Sequence, residues 1–130
     1  MKYLVDTDIA SYFLRGKYNL LNIFIQKGIS DIRISVVSVA ELEVLAHKNP
    51  SSQINFSSIT SLSQKLGILG IDNKTWKLFS KLKADTLKSG TKRGDFDLLI
   101  ASIALQHSLI LITNNVVHYK DLVSVENWII

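Results

Sequence analysis

Residues 3–13, Tyr3-Leu4-Val5-Asp6-Thr7-Asp8-Ile9-Ala10-Ser11-Tyr12-Phe13, contain a change of period that decides how the whole chain is read. Tyr3-Leu4-Val5 is a short, unbroken apolar run, as expected of a buried strand, and Ile9, Tyr12 and Phe13 then fall at helical spacing up to Arg15-Gly16. A strand that feeds a helix is the first half of a βαβ unit, and two acids sit in the joint.

The pattern recurs along the chain. Leu20 to Gln26 is expected to be a helix closed by Lys27-Gly28, and Ile32-Arg33-Ile34-Ser35-Val36 a strand. Ser38-Val39-Ala40-Glu41 has the form of a capping box opening a helix to about His47, with a stop at Asn49-Pro50. Ser51 to Ser63 is polar, yet Ile54, Ile59, Leu62 and Leu66 keep apolar spacing, which reads as a helix or as a loop that clamps a partner. Leu66 to Ile71 reads as a short inner strand between glycines. Asp72 or Asn73 then caps a helix with Trp76, Phe79, Leu82 and Leu87 on its apolar side, ending at Ser89-Gly90. Asp97 to Gln106 is apolar almost all round, as in a helix buried against a sheet, and Leu109 to Thr113 is the next buried strand. Alternating strands and helices predict an α/β fold: one domain over residues 1–130, with a central, mostly parallel sheet of about four to five strands flanked by helices on both faces.

Composition agrees with a single core. The chain has 130 residues, 47% of them hydrophobic, and a mean hydropathy of +0.21, which excludes long disordered tracts. Lys and Arg number 15 against 11 acids, a net charge of +4 that suits a polyanionic partner without requiring one. With no cysteine, a disulfide framework, a thiolate metal site and a thiol nucleophile are all excluded. The apolar start before Asp6 is too short for a signal sequence or a spanning helix, so the expected location is cytoplasmic, with no membrane partner.

In doubly wound sheets ligands bind at the carboxyl ends of the strands. Asp6 follows the first strand, Glu41 lies a few residues past the second, Asp97 opens the buried helix, and Thr113-Asn114-Asn115 follows the late strand. All can reach one edge. Carboxylates gathered without cations must protonate or share a metal, and hard oxygen donors favour Mg²⁺, with Mn²⁺ as a substitute. Such an ion can activate water against a phosphodiester. Each acid also has a structural explanation. Asp6 or Asp8 could cap the first helix, Asp8 being the better cap; Glu41 could complete the capping box of Ser38; Asp95 is assigned as the cap of the buried helix.

Five blocks carry a resemblance: Leu4-Val5-Asp6-Thr7-Asp8-Ile9, Ser38-Val39-Ala40-Glu41-Leu42, Asp97-Leu98-Leu99-Ile100-Ala101, Thr113-Asn114-Asn115 and Val125-Glu126-Asn127-Trp128. In these, and over nearly its whole length, the chain resembles PIN-domain ribonucleases of the VapC toxin type. The resemblance implies a Mg²⁺-dependent endoribonuclease leaving a 5′-phosphate and a 3′-hydroxyl, a homodimer, and a cognate antitoxin, with transfer RNA as a common substrate. It makes Asp6 and Asp97 metal-binding acids and Glu41 the further catalytic carboxylate. Many relatives carry Asn at the position of Asp8, and some carry a fourth acid at that of Asn115. Asn115 can hydrogen-bond a phosphate but cannot be a charged ligand, so one tightly bound ion is expected, with Asp8, Thr113 and Asn115 in support.

Lys92 and Arg93, near Asp97, are the favoured candidates for RNA phosphate contacts, ahead of Arg15, Lys17 and Lys48. His47, His107 and His118 lack metal-ligand spacing and receive no catalytic role. Two rival readings stand: a haloacid-dehalogenase-like phosphatase with Asp6 as nucleophile, and a catalytically silent PIN-like module that binds RNA or protein. An antitoxin is expected on the face of the second and third helices, with Ser51 to Ser63 as a contact region.

Overall fold

The computed structural model describes residues 1–129. Five short strands form one sheet: β1 (Tyr3–Val5), β2 (Ile32–Ser35), β3 (Ile68–Leu69), β4 (Ile110–Ile112) and β5 (Val125–Glu126). All neighbours run parallel, in the order β3-β2-β1-β4-β5. The chain builds outward from β1 to β3, then returns to the other side of β1 with β4. The order therefore switches between β1 and β4, and the carboxyl ends of these two strands flank the crevice where such sheets bind ligands.

Among the described residues seven α-helices cover the sheet: α1 (Thr7–Leu14), α2 (Leu20–Lys27), α3 (Val36–Lys48), α4 (Phe56–Leu66), α5 (Asn73–Ser89), α6 (Asp95–Gln106) and α7 (Val116–Tyr119). Strand side chains alternate between two cores. Val5, Ile32, Ile34 and Ile112 join α1, α2 and α4 through Ile9, Phe24, Ile59 and Leu62. Leu4 and Leu111 join α6 through Ile100 and Ile103 on the other face. Seven consecutive residues of α6, Leu98 to Ala104, are buried, which is why its sequence shows no polar face.

The local signals decided most boundaries and misplaced several. Helix α3 begins at Val36, because Ser35 rather than Ser38 accepts the capping hydrogen bond, from the Ser38 N–H at 3.0 Å. Glu41 is thus released from the capping box and lies in the second turn. The cap of α1 is Asp6, whose Oδ1 accepts from the Ile9 N–H at 2.9 Å; Asp8 is in the first turn. Asp95 does not cap α6: Gly94 holds that position without a side-chain bond, and Asp95 pairs with Lys83 at 2.8 Å. The helix expected within Ser51 to Ser63 starts at Phe56, capped by Asn55. Strand β3 is an edge strand, not an inner one. On α5, Phe79 and Leu82 pack inward, but Trp76 and Leu87 are exposed; Thr75 and Thr86 are the buried positions. The helix ends at Gly90, whose left-handed φ of 71° suits glycine alone without strain.

Candidate active site

Asp6 leaves the end of β1 and is 5% exposed. The turn of chain that makes it a helix cap also aims it at the switch point. Glu41 comes from α3, Asp97 from the first turn of α6, and Asn115 from the loop after β4. Together with Thr7, Asp8, Ile100, His118 and Tyr119 they line one cavity of about 140 Å³. The carboxylates expected at one edge therefore share a pocket, and Asp8 joins them from its exposed rim.

Burial pushes the Asp6 carboxyl up to about 6, aided by the charges of Asp8 and Asp97; hydrogen bonds from the Thr113 hydroxyl and the Ile9 N–H pull the other way. Among the described residues no Lys or Arg lies within salt-bridge range of Asp6, Asp8 or Glu41. Neither are any three His, Asp or Glu side chains of the described residues placed to grip one ion. Uncompensated, half-desolvated oxygens of this kind fit a hard divalent cation that is held by one or two carboxylates and keeps its remaining waters. They do not fit a closed all-protein cage.

The acids are held by neighbours that the motifs did not single out. The hydroxyl of Thr7 lies 2.6 Å from Glu41 Oε1 and 2.9 Å from Ser38 Oγ. It has one proton, and the carboxylate can only accept, so Thr7 donates to Glu41 and the Ser38 hydroxyl donates to Thr7. Thr113 is fully buried; it accepts the Asn115 N–H at 2.9 Å and points its own proton at Asp6. His118 Nε2 stands 3.1 Å from Asp97 Oδ2. Tyr119 is buried beside the same carboxylate; burial, then the Asp97 charge and hydrogen bond, push its phenol well above the ordinary range, so it stays a donor.

Local sequence patterns did not reveal Thr7, His118 or Tyr119 as parts of the site. A signal for His118 existed: it falls three residues after Asn115, on the same side of a helical turn. Of the two cations favoured for RNA, Arg93 is engaged elsewhere. Its Nη2 lies 2.8 Å from both carboxylate oxygens of Asp121, its side chain is 10% exposed, and its buried Nε has no partner among the described residues. That makes it a tie between the loop before α6 and the loop after α7. Lys92 is exposed and unpaired among the described residues.

Comparison with known proteins shows the family and the fold. The PIN-domain family model matches residues 3–120. Ribonuclease VapC2 of Haemophilus influenzae is 30% identical over 132 residues, with 99% of each chain covered. The tRNA(fMet)-specific endonuclease VapC of Salmonella typhimurium is 22% identical over 130 residues, with 98% of each covered. Among solved structures, VapBC2 from Rickettsia felis bound to a DNA fragment from its promoter superposes with a TM-score of 0.84 at 28% identity, covering 98% of this chain and 99% of that one.

Proposed function

Because the chain belongs to the PIN-domain family, we propose that it is the endoribonuclease toxin of a toxin–antitoxin pair, hydrolysing RNA phosphodiester bonds with water. The observation that carries this reading is the buried Asp6, without a cationic partner among the described residues, sharing a pocket with Asp8, Glu41 and Asp97 at the switch point of the sheet.

Nucleases of this family are metal-dependent, and the all-oxygen donor set favours Mg²⁺, with Mn²⁺ able to replace it. Asp6 and Asp97 would hold the ion, with Asp8 at the rim. Bound there, it supplies positive charge for the phosphoryl oxygens and acidifies water. The chain's own residues do the rest. Glu41, with Oε1 fixed by Thr7, offers Oε2 to take the proton of the attacking water. Asn115 donates its amide to a phosphate oxygen, and His118 and Tyr119 keep Asp97 in position. The products carry a 5′-phosphate and a 3′-hydroxyl.

The reading of transfer RNA as substrate is supported by the relative named for that activity. An antitoxin partner is supported by the VapBC assembly of the neighbouring structure. For that partner we propose two apolar surfaces: Leu21 and Ile25 on α2, 54% and 58% exposed, and the groove between α3 and α4 lined by Val39, Phe56 and Ile68. A homodimer completes the assembly. No helix among the described residues is long and apolar enough to cross a membrane.

The experiment is cleavage of total transfer RNA by the purified chain in Mg²⁺, beside Asp6→Asn and Asp97→Asn. Loss of cleavage in each variant is expected. Undiminished cleavage in both would remove the site assignment, and an acyl-phosphate trapped on Asp6 would favour the phosphatase instead.

A further inference from the structure

Phe96 is the second residue of α6, between Asp95 and Asp97, and it is 56% exposed although the helix that follows is buried for seven residues running. It belongs to neither core. Single exposed apolar side chains are ordinary on a protein surface; what sets Phe96 apart is its place next to Asp97, an acid of the pocket. The ring lines an open depression of about 390 Å³ together with Glu41, Gly94, Asp95 and Asp97. Glu41 and Asp97 also line the acidic pocket, so the two spaces adjoin. The volume lies in the roughly 300–1,000 Å³ range of small-molecule clefts. Gly94 contributes no side chain, which leaves the wall next to the ring bare.

We propose that Phe96 is a stacking platform for an unpaired nucleobase of the nucleotide adjoining the cleaved bond. This deepens the ribonuclease reading and rests on it. A phosphate placed in the acidic pocket, where Asn115 donates to it, leaves its neighbouring nucleoside within reach of the depression. The carboxylates around the ring disfavour a second phosphate there, whereas the neutral face of a base meets no such repulsion. Lys83 already compensates Asp95 at 2.8 Å, so the ring sits beside a locally neutral pair on one side. Every base has a stackable face, so the contact selects for single-stranded, splayed RNA more than for a particular letter, and paired bases are refused. A second copy of the chain or an antitoxin segment covering Phe96 is the competing occupant.

The test uses the intact protein and a single-stranded RNA carrying 2-aminopurine, moved in turn through positions on either side of the cleaved bond, with Ca²⁺ replacing Mg²⁺ during binding. The wild type, Phe96→Tyr and Phe96→Trp should quench the label at one position; Phe96→Ala and Phe96→Leu should lose the quench and raise Kd roughly tenfold. Removing the base at that position should weaken wild-type binding by the same factor and leave Phe96→Ala unchanged. Equal Kd for wild type and Phe96→Ala overturns the proposal, and so do independent, multiplying effects of the two deletions. Phe96→Ala that dissociates a dimer or releases an antitoxin while keeping the quench overturns it in favour of a protein interface. Failure of the wild type to cut any RNA in Mg²⁺ strikes the parent reading, whereas cutting with additive deletions strikes this inference alone.

Discussion

His118 Nε2 lies 3.1 Å from Asp97 Oδ2 across 21 positions of sequence, so the short helix after β4 reaches back to a carboxylate on α6. An ionised carboxylate accepts only, so Nε2 carries the proton in this contact and fixes one oxygen of Asp97. Residues that orient a metal ligand in this way typically change affinity or activity by about 10–100-fold when removed. His118→Ala is expected to lower cleavage by that order and raise the Mg²⁺ concentration needed for half-maximal rate, with the melting temperature little changed. His118→Gln, whose amide can donate to the same oxygen, should recover part of the loss. Direct Mn²⁺ binding by electron paramagnetic resonance separates positioning from folding: unaltered binding and unaltered Mg²⁺ dependence in His118→Ala would exclude the role.

Asp6 stores a penalty that shows in stability. Its carboxyl is raised to about 6 in the folded chain, from 3.8. The folded state therefore holds the proton more tightly, and the contribution is fully present below pH 3.8, falls as pH rises through about 6, and is then lost. A rise of that size corresponds to about 3 kcal/mol as an upper bound. Asp6→Asn keeps a side-chain oxygen to cap α1 and has nothing to titrate. In EDTA the variant should match the wild type near pH 4 and exceed it by up to about 3 kcal/mol at about pH 8, as read by urea denaturation. Mg²⁺ should stabilise the wild type at that higher pH and not the variant. Parallel curves across pH for the two proteins would show that Asp6 is not strained by burial.

The boundary between what was legible and what was not follows the range of the interactions. Asp6, Glu41 and Asp97 could be found because each follows a strand or opens a buried helix, and strands and buried helices announce themselves by local hydrophobic pattern. Their caps were misassigned because Ser35 and Ser38, or Asp6 and Asp8, are equally good caps on paper; one residue of strand length decides between them. Thr7 and His118 act across 34 and 21 positions, and no local pattern encodes a partner that distant. Trp76 and Leu87 looked buried because helical spacing identifies a face and not what covers it. Arg93 looked like a phosphate ligand because its ion pair with Asp121 spans 28 positions.

That last difference separates the two cations by experiment. Lys92→Ala should weaken RNA binding and reduce the slope of log affinity against log salt by about one. Arg93→Ala should leave the slope unchanged and reduce stability. The ion pair accounts for no more than about 1 kcal/mol, since Asp121 is 60% exposed, so Asp121→Ala should cost less than Arg93→Ala, which also removes the buried stem. Binding isotherms at several salt concentrations and urea melts of the three variants decide it. A reduced slope in Arg93→Ala would return that residue to the RNA surface.

Thr7 gives the sharpest test of how Glu41 works. Its hydroxyl, 2.6 Å from Oε1, is itself supported by Ser38, which lies 3.3 Å from Ser35 at the end of β2. Thr7→Val keeps the shape and removes the donor, leaving the carboxylate free to turn and the Ser38 hydroxyl without its acceptor. Part of a catalytic step that depends on alignment is then lost, because small misplacements of a catalytic group carry large rate penalties. Thr7→Val should lower kcat roughly tenfold or more with KM nearly constant, while Thr7→Ser, which restores the proton, should stay close to wild type. If Glu41 serves only as a charge, its orientation is immaterial, and Thr7→Val would cleave as fast as the wild type. If Thr7 mattered only for packing, Thr7→Ser would be the more damaged variant, because it loses the methyl and keeps the hydroxyl.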